Sequence, residues 1–186
     1  LSFIENPPEL SSINIDVFIE KEPITIVLSD QNWIRSHKGH LDLKSDFKYR
    51  EGDKSKFIFH AFTTDKILLF NENGIFFTLK SNNLPSGRGF GEPLSKMFEF
   101  NNNDKIVSIF PFFDGNVVIA SDDGLGFKIS TKHLVASTKS GKKIFNLNRG
   151  AKAKALTKCD GNLLVVVGHN RKMLIFPISE LPQQNK

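Results

Sequence analysis

The stretch that decides the fold is Ile67-Leu68-Leu69-Phe70-Asn71-Glu72-Asn73-Gly74-Ile75-Phe76-Phe77-Thr78-Leu79, two short apolar runs joined by a polar turn. Asn73-Gly74 supplies the positive-φ position a tight hairpin needs, and runs rich in Ile and Phe suit a pleated surface. The same plan recurs on either side. Upstream, Ile24 to Leu28 meets Trp33-Ile34 across Ser29-Asp30-Gln31-Asn32. Downstream, Val117 to Ala120 meets Leu125 to Ile129 across Ser121-Asp122-Asp123-Gly124, and Leu163 to Val167 meets Met173 to Phe176 across Gly168-His169-Asn170-Arg171. The first residues after the four turns, Trp33, Ile75, Leu125 and Lys172, lie 42, 50 and 47 residues apart. That period belongs to blade-type β repeats.

Working outward, a leucine follows the last three turns by ten positions, at Leu84, Leu134 and Leu181. The connectors repeat too. Glu51-Gly52-Asp53-Lys54, Asn102-Asn103-Asp104-Lys105 and Arg149-Gly150-Ala151-Lys152 each follow an apolar pair (Phe47 and Tyr49, Phe98 and Phe100, Phe145 and Leu147). Each precedes a further apolar segment: Phe57 to Phe62, Ile106 to Phe113 and Ala153 to Leu156. One unit is therefore four short strands, and the chain is expected to be all-β, a propeller-like array of about four four-stranded blades. The fourth unit stops early, so either the lead-in strand completes it or the polypeptide continues. Residues 1–21 form that lead-in: Asn6-Pro7-Pro8-Glu9 has linker composition, and Ile13, Ile15, Val17 and Ile19 alternate with Asn14, Asp16 and Glu20 as in a half-buried strand. Residues 22–186 are expected to form the array itself.

The chain has 186 residues, 18 of them Phe, with one Cys and a formal charge of +5. One cysteine, Cys159, excludes an internal disulfide framework and any multi-cysteine metal site, and fits a reducing compartment. No apolar run reaches the length of a membrane helix. The charge is unevenly spread. From Ser2 to Asp30 the only basic residue is Lys21, against Glu5, Glu9, Asp16, Glu20, Glu22 and Asp30. From Leu125 to Lys172 the only acid is Asp160, against eleven Lys and Arg. Such asymmetry points to a polyanion partner for the second half, and equally fits a solvated rim around a β core.

Three segments are more particular than generic β repeats: Glu22-Pro23-Ile24-Thr25-Ile26-Val27-Leu28-Ser29 with Trp33-Ile34-Arg35 and Lys38-Gly39-His40; Tyr49-Arg50-Glu51-Gly52-Asp53; and Leu84-Pro85-Ser86-Gly87-Arg88-Gly89-Phe90-Gly91-Glu92-Pro93 after Asn73-Gly74. In order and spacing these resemble the carboxy-terminal β-pinwheel domain of bacterial type IIA topoisomerase A subunits, the topoisomerase IV type more than gyrase. The resemblance covers about residues 22–182. It implies a disc that binds and bends double-stranded DNA along a basic outer edge, without sequence preference. That disc would present DNA to a catalytic core elsewhere in the A subunit, which works with an ATPase B subunit in the bacterial cytoplasm at the nucleoid. Gyrase carries a Gln-Arg-Arg-Gly-Gly-Lys-Gly loop for chiral wrapping. No such string occurs here; Ser86-Gly87-Arg88-Gly89 and Lys139-Ser140-Gly141-Lys142-Lys143 are partial echoes.

No catalytic residue, metal site or cofactor is expected in this domain. Gly87-Arg88-Gly89-Phe90-Gly91 is glycine-rich like a phosphate loop, but Glu92-Pro93 follows and no helical pattern does, so it reads as a connector with Arg88 available to a phosphate. His37 and His40 lack a third ligand nearby, and His60 and His133 lack a nucleophile partner. Tyr49, the one tyrosine, alternates with Phe47 and reads as structural, and Trp33, in the slot of Ile75 and Leu125, reads as a packing residue. The expected DNA contacts are Arg35, Lys38, Lys44, Lys80, Arg88, Lys128, Lys132, Lys139, Lys142, Lys143, Arg149 and Lys152, on second hairpin strands and the connectors after them. The aromatics do not interleave with these cations as single-strand stacking platforms do, which favours duplex DNA. The competing reading is a propeller-like scaffold for another protein.

Overall fold

The computed structural model describes residues 19–101, 103–167 and 173–184. The expected lead-in strand up to Phe18 and the fourth turn at Gly168 to Arg171 lie outside those residues. In chain order the elements are β1 (Pro23–Ser29), β2 (Trp33–Lys38), β3 (Ser55–Phe62), β4 (Lys66–Asn71), β5 (Ile75–Lys80), β6 (Glu92–Pro93), α1 (Leu94–Met97), β7 (Ile106–Pro111), β8 (Asn116–Ser121), β9 (Gly126–Ser130), β10 (Lys142–Lys143), β11 (Ala153–Lys158), β12 (Leu163–Val167), β13 (Met173–Pro177) and β14 (Gln183–Gln184). They form three four-stranded sheets, ordered β3-β1-β2-β6, β10-β5-β4-β7 and β11-β8-β9-β14, and a two-stranded sheet of β12 and β13. The four expected hairpins are β1-β2, β4-β5, β8-β9 and β12-β13, all antiparallel.

The central hairpin strands are buried on both faces, which is why they read as continuous apolar runs and not as alternations. In β4, Ile67 and Leu69 pack with Ile26, Leu28 and Ile34 of the first blade. The alternate residues Leu68 and Phe70 pack with Val117, Ile119 and Phe127 of the third. One strand thus contributes to two inter-blade cores. The first two turns are each closed by a buried polar residue at the end of the first strand: the Ser29 hydroxyl accepts from the Trp33 N–H at 3.1 Å, and the Asn71 carboxamide oxygen accepts from Ile75 N–H at 2.9 Å. Asn32 has φ of 62°, the slot that Gly74 and Gly124 fill in the next two repeats, and asparagine tolerates that region best among residues with a side chain.

The structure revises how a blade is assembled. A blade is not four consecutive strands, because its outermost strand comes from the following repeat. After β5 the chain crosses to the first blade and lays β6 antiparallel along β2, Trp33 opposite Pro93, before returning as β7. After β9 it crosses to the second blade and lays β10 along β5, and after β13 it lays β14, parallel, along β9. The recurrent leucines mark the crossings. Single 3-10 turns at Ser81–Asn83, Thr131–Leu134 and Ile178–Glu180 bring the chain to Leu84, Leu134 and Leu181. Beyond them, Pro85 O accepts from Ser36 N–H and Pro182 O from Lys128 N–H, both at 2.9 Å, while Ala136 N–H donates to Thr78 Oγ. Strand β7 packs against both β3 and β11, so the inner strands gather along the axis of the array and the exchanged strands lie at the far edge of each sheet, its perimeter. A second revision is small: a single helical turn, α1, does follow Glu92-Pro93.

Candidate nucleic-acid interface

The crossings carry the basic residues outward. Arg88 lies on the segment leading into β6, and Lys139, Lys142 and Lys143 lie on the segment that forms β10. Lys38 and Lys80 end β2 and β5, and Lys128 lies in β9, the three strands that the exchanged strands border. Lys38, Arg88, Lys139 and Lys143 are exposed and Lys128 half-buried. None of these five side chains makes an ion pair among the described residues. Lys80 is exposed as well. Lys142 differs, since its Nζ donates to the His133 carbonyl at 2.8 Å and thereby ties the crossing to the third repeat's 3-10 turn.

The remaining expected contacts sit elsewhere. Lys44 lies in the loop between β2 and β3, and its backbone N–H donates to Asp42 at 2.9 Å. Lys132 pairs with Asp114 at 3.0 Å. Arg149 is exposed on the connector that returns to β11. Lys152 faces the axis, where its Nζ donates to Asn73 at 2.8 Å and lies 3.8 Å from Glu72. Lys56 approaches Asp30 at 3.9 Å at the same end of the array, and burial lowers its pKa despite that carboxylate. At the axial mouth Lys56, Lys105, Lys152 and Lys154 line a hollow of about 320 Å3 together with Glu72 and Asp122. Lys56 and Lys152 at the axis have carboxylate neighbours, whereas Lys38, Arg88, Lys139 and Lys143 at the perimeter have none among the described residues.

Arg35 is corrected. Expected as a DNA contact, it is only 3% exposed, because the loops carrying Lys48 and Gly89 close over its guanidinium. Its guanidinium donates to the Lys48 carbonyl at 2.6 Å, the Gly89 carbonyl at 3.0 Å and His37 Nε2 at 3.1 Å. Burial pushes its pKa down, with Tyr49 opposing. Its hydrogen bonds go to the two loops and to His37. The His37 imidazole, accepting from Arg35, is lowered in turn by burial and then by that neighbouring charge. Tyr49 lies beneath Arg35, and Trp33, half-buried, carries the Arg50 guanidinium 4.3 Å above its ring. His40 stacks on His60 at 4.4 Å, and each ring bonds a backbone carbonyl, of Ala61 and Leu41 respectively. Among the described residues no group of three or more His, Cys, Asp and Glu could hold a metal, and no helix is long and apolar enough to cross a membrane.

The geometry matches known proteins. The family model described as DNA gyrase C-terminal domain, beta-propeller, matches residues 65–112, 115–160 and 162–186, one segment for each of the last three repeats. The chain belongs to this family. Its relatives place it on the topoisomerase IV side. It is 43% identical over 182 residues to the DNA topoisomerase 4 A subunit of Caulobacter vibrioides, covering 97% of this chain and 24% of that protein. To the same protein of Rickettsia bellii it is 41% identical, covering 94% and 24%. The chain thus spans about a quarter of the length of these relatives. The solved E. coli ParC C-terminal domain is 30% identical with a TM-score of 0.80, over 88% of this chain and 68% of that one. The gyrase A C-terminal domain, at 13% identity and a TM-score of 0.64, shares the fold.

Proposed function

We propose that this domain captures duplex DNA along its perimeter and bends it, presenting a segment to the catalytic core of a type IIA topoisomerase A subunit. The core acts with an ATP-hydrolysing B subunit, in the cytoplasm at the nucleoid. The domain itself cleaves nothing and needs no cofactor. The observation that carries this reading is the contrast between the two ends of each blade. Axial Lys56 and Lys152 lie beside Asp30 and Glu72, whereas the strand exchange delivers Arg88, Lys139 and Lys143 outward without ion-pair partners among the described residues. Unpaired cations along one edge recognise a phosphate backbone by charge, independent of sequence.

The test is salt-dependent binding to an arbitrary duplex. Replacing Lys38, Arg88, Lys128, Lys139 and Lys143 together by Gln lowers affinity for any sequence alike, and reduces the log-log salt slope by about 0.9 for each phosphate no longer neutralised. Replacing Lys56 and Lys152, which have carboxylate neighbours, leaves the slope unchanged. A perimeter variant with unaltered affinity and slope refutes DNA capture and favours the scaffold reading. The exposed apolar side chains of β12 and β13 support that alternative.

A further inference from the structure

Phe90 is the one Phe, Tyr or Trp side chain exposed among the described residues, at 48%, although the chain places the others at buried or half-buried positions. It sits at the tip of the crossing onto the first blade, two residues from the exposed Arg88 and between two glycines. The loop beneath it is held firmly. The buried Arg35 donates to the Gly89 carbonyl at 3.0 Å. Gly87 packs against the His37 ring so closely that a Cβ would lie 2.2 Å from Nδ1, and a Cβ on Gly91 would lie 2.2 Å from Ile34 O. Ser36 pairs with Ser86, and β6 begins one residue after Gly91. These contacts hold the loop backbone on either side of Phe90 against β2 and leave the ring at the rim of a hollow lined by Phe47 and His37.

Resting on the DNA-binding reading above, we propose that Phe90 is a wedge. While Arg88 holds a backbone phosphate, the ring enters a base step from the groove side, partly unstacks it and kinks the duplex at the first blade. Apolar wedges beside basic residues bend DNA in this way, and a loop already fixed in its binding geometry loses little entropy on contact. The corresponding crossing of the third repeat, Ser137-Thr138-Lys139-Ser140-Gly141, has Ser140 in the place of Phe90 when Gly141 is aligned with Gly91. The second blade therefore has the phosphate contact without the wedge, so the bend is concentrated at one blade.

The test uses the 186-residue chain and a duplex carrying 2-aminopurine, with donor and acceptor dyes at its ends. Wild type raises 2-aminopurine emission at a bound step and shortens the end-to-end distance by a kink of at least about 20°. Phe90→Ala abolishes the emission change and reduces the bend, yet keeps the salt slope; Phe90→Trp retains both signals. Arg88→Gln lowers the slope by about 0.9. Emission and bend unchanged in Phe90→Ala overturn the wedge while leaving DNA capture standing. Absence of any DNA binding by wild type overturns the parent reading. If Phe90→Ala binds and bends DNA normally but loses association with the rest of the A subunit, the ring is a protein anchor and the wedge is refuted.

Discussion

The second and fourth hairpins have the same sequence plan and opposite surroundings. In β4, Ile67, Leu68, Leu69 and Phe70 are fully buried, whereas in β12, Val165, Val166 and Val167 are 52%, 45% and 66% exposed. Both hairpins are antiparallel with regular registers. What the second has and the fourth lacks, among the described residues, is an inner strand on one side and an exchanged strand on the other. Hairpin chemistry makes the strands, but neighbours make the blade. A two-stranded ribbon alone is marginal in water, and its burial comes entirely from what is laid beside it.

The comparison breaks if equal truncations in the two hairpins cost the same. Leu69→Ala, in the fully buried strand, should cost about 2–5 kcal/mol by denaturant unfolding, while Leu174→Ala, at a position 61% exposed in β13, should cost under about 1 kcal/mol. The next effect isolates the exchanged strand. Gly91 has φ of +89° and no room for a Cβ, so Gly91→Ala should cost about 1–3 kcal/mol. Hydrogen exchange should localise the loss to β2 at Ile34, with β12 unaffected. If the amides of β2 keep their protection, the exchanged strand is not what completes a blade.

The smallest effect is a pH dependence confined to the first blade. Burial and Arg35 lower the His37 pKa in the folded chain, so below about pH 6.5 the unfolded chain takes up the proton and the folded one resists it. Stability is therefore complete above that pH and declines as pH falls toward the lowered value. His37→Asn should flatten the profile in that window. An unchanged profile would remove His37 from the first blade's linkage.

Hairpins and inner strands were legible because runs such as Ile67 to Phe70 and Phe57 to Phe62 are long enough to show their character, and Asn73-Gly74 punctuates them. The exchanged strands were not. Glu92-Pro93 and Lys142-Lys143 are two residues each, too short for any periodicity, and their partners lie a full repeat earlier. The same gap explains Arg35: without the crossing, nothing marks its guanidinium as covered by the loops carrying Lys48 and Gly89. Most of the basic set was legible as composition, yet its division between perimeter and axis depends on which connector crosses outward. Phe90 had a signal in its flanking glycines, which leave an aromatic no side-chain neighbours along the chain.

The strand exchange also gives the array a direction in time. As the polypeptide leaves the ribosome, β2 cannot acquire its outer partner until Glu92 and Pro93 have been made, and β5 waits in turn for Lys142 and Lys143. Each of the first three repeats emerges unfinished and is closed by its successor, so none of these blades can be completed before the next repeat has been made. Excising one repeat from the middle therefore damages two blades, the one removed and the one before it.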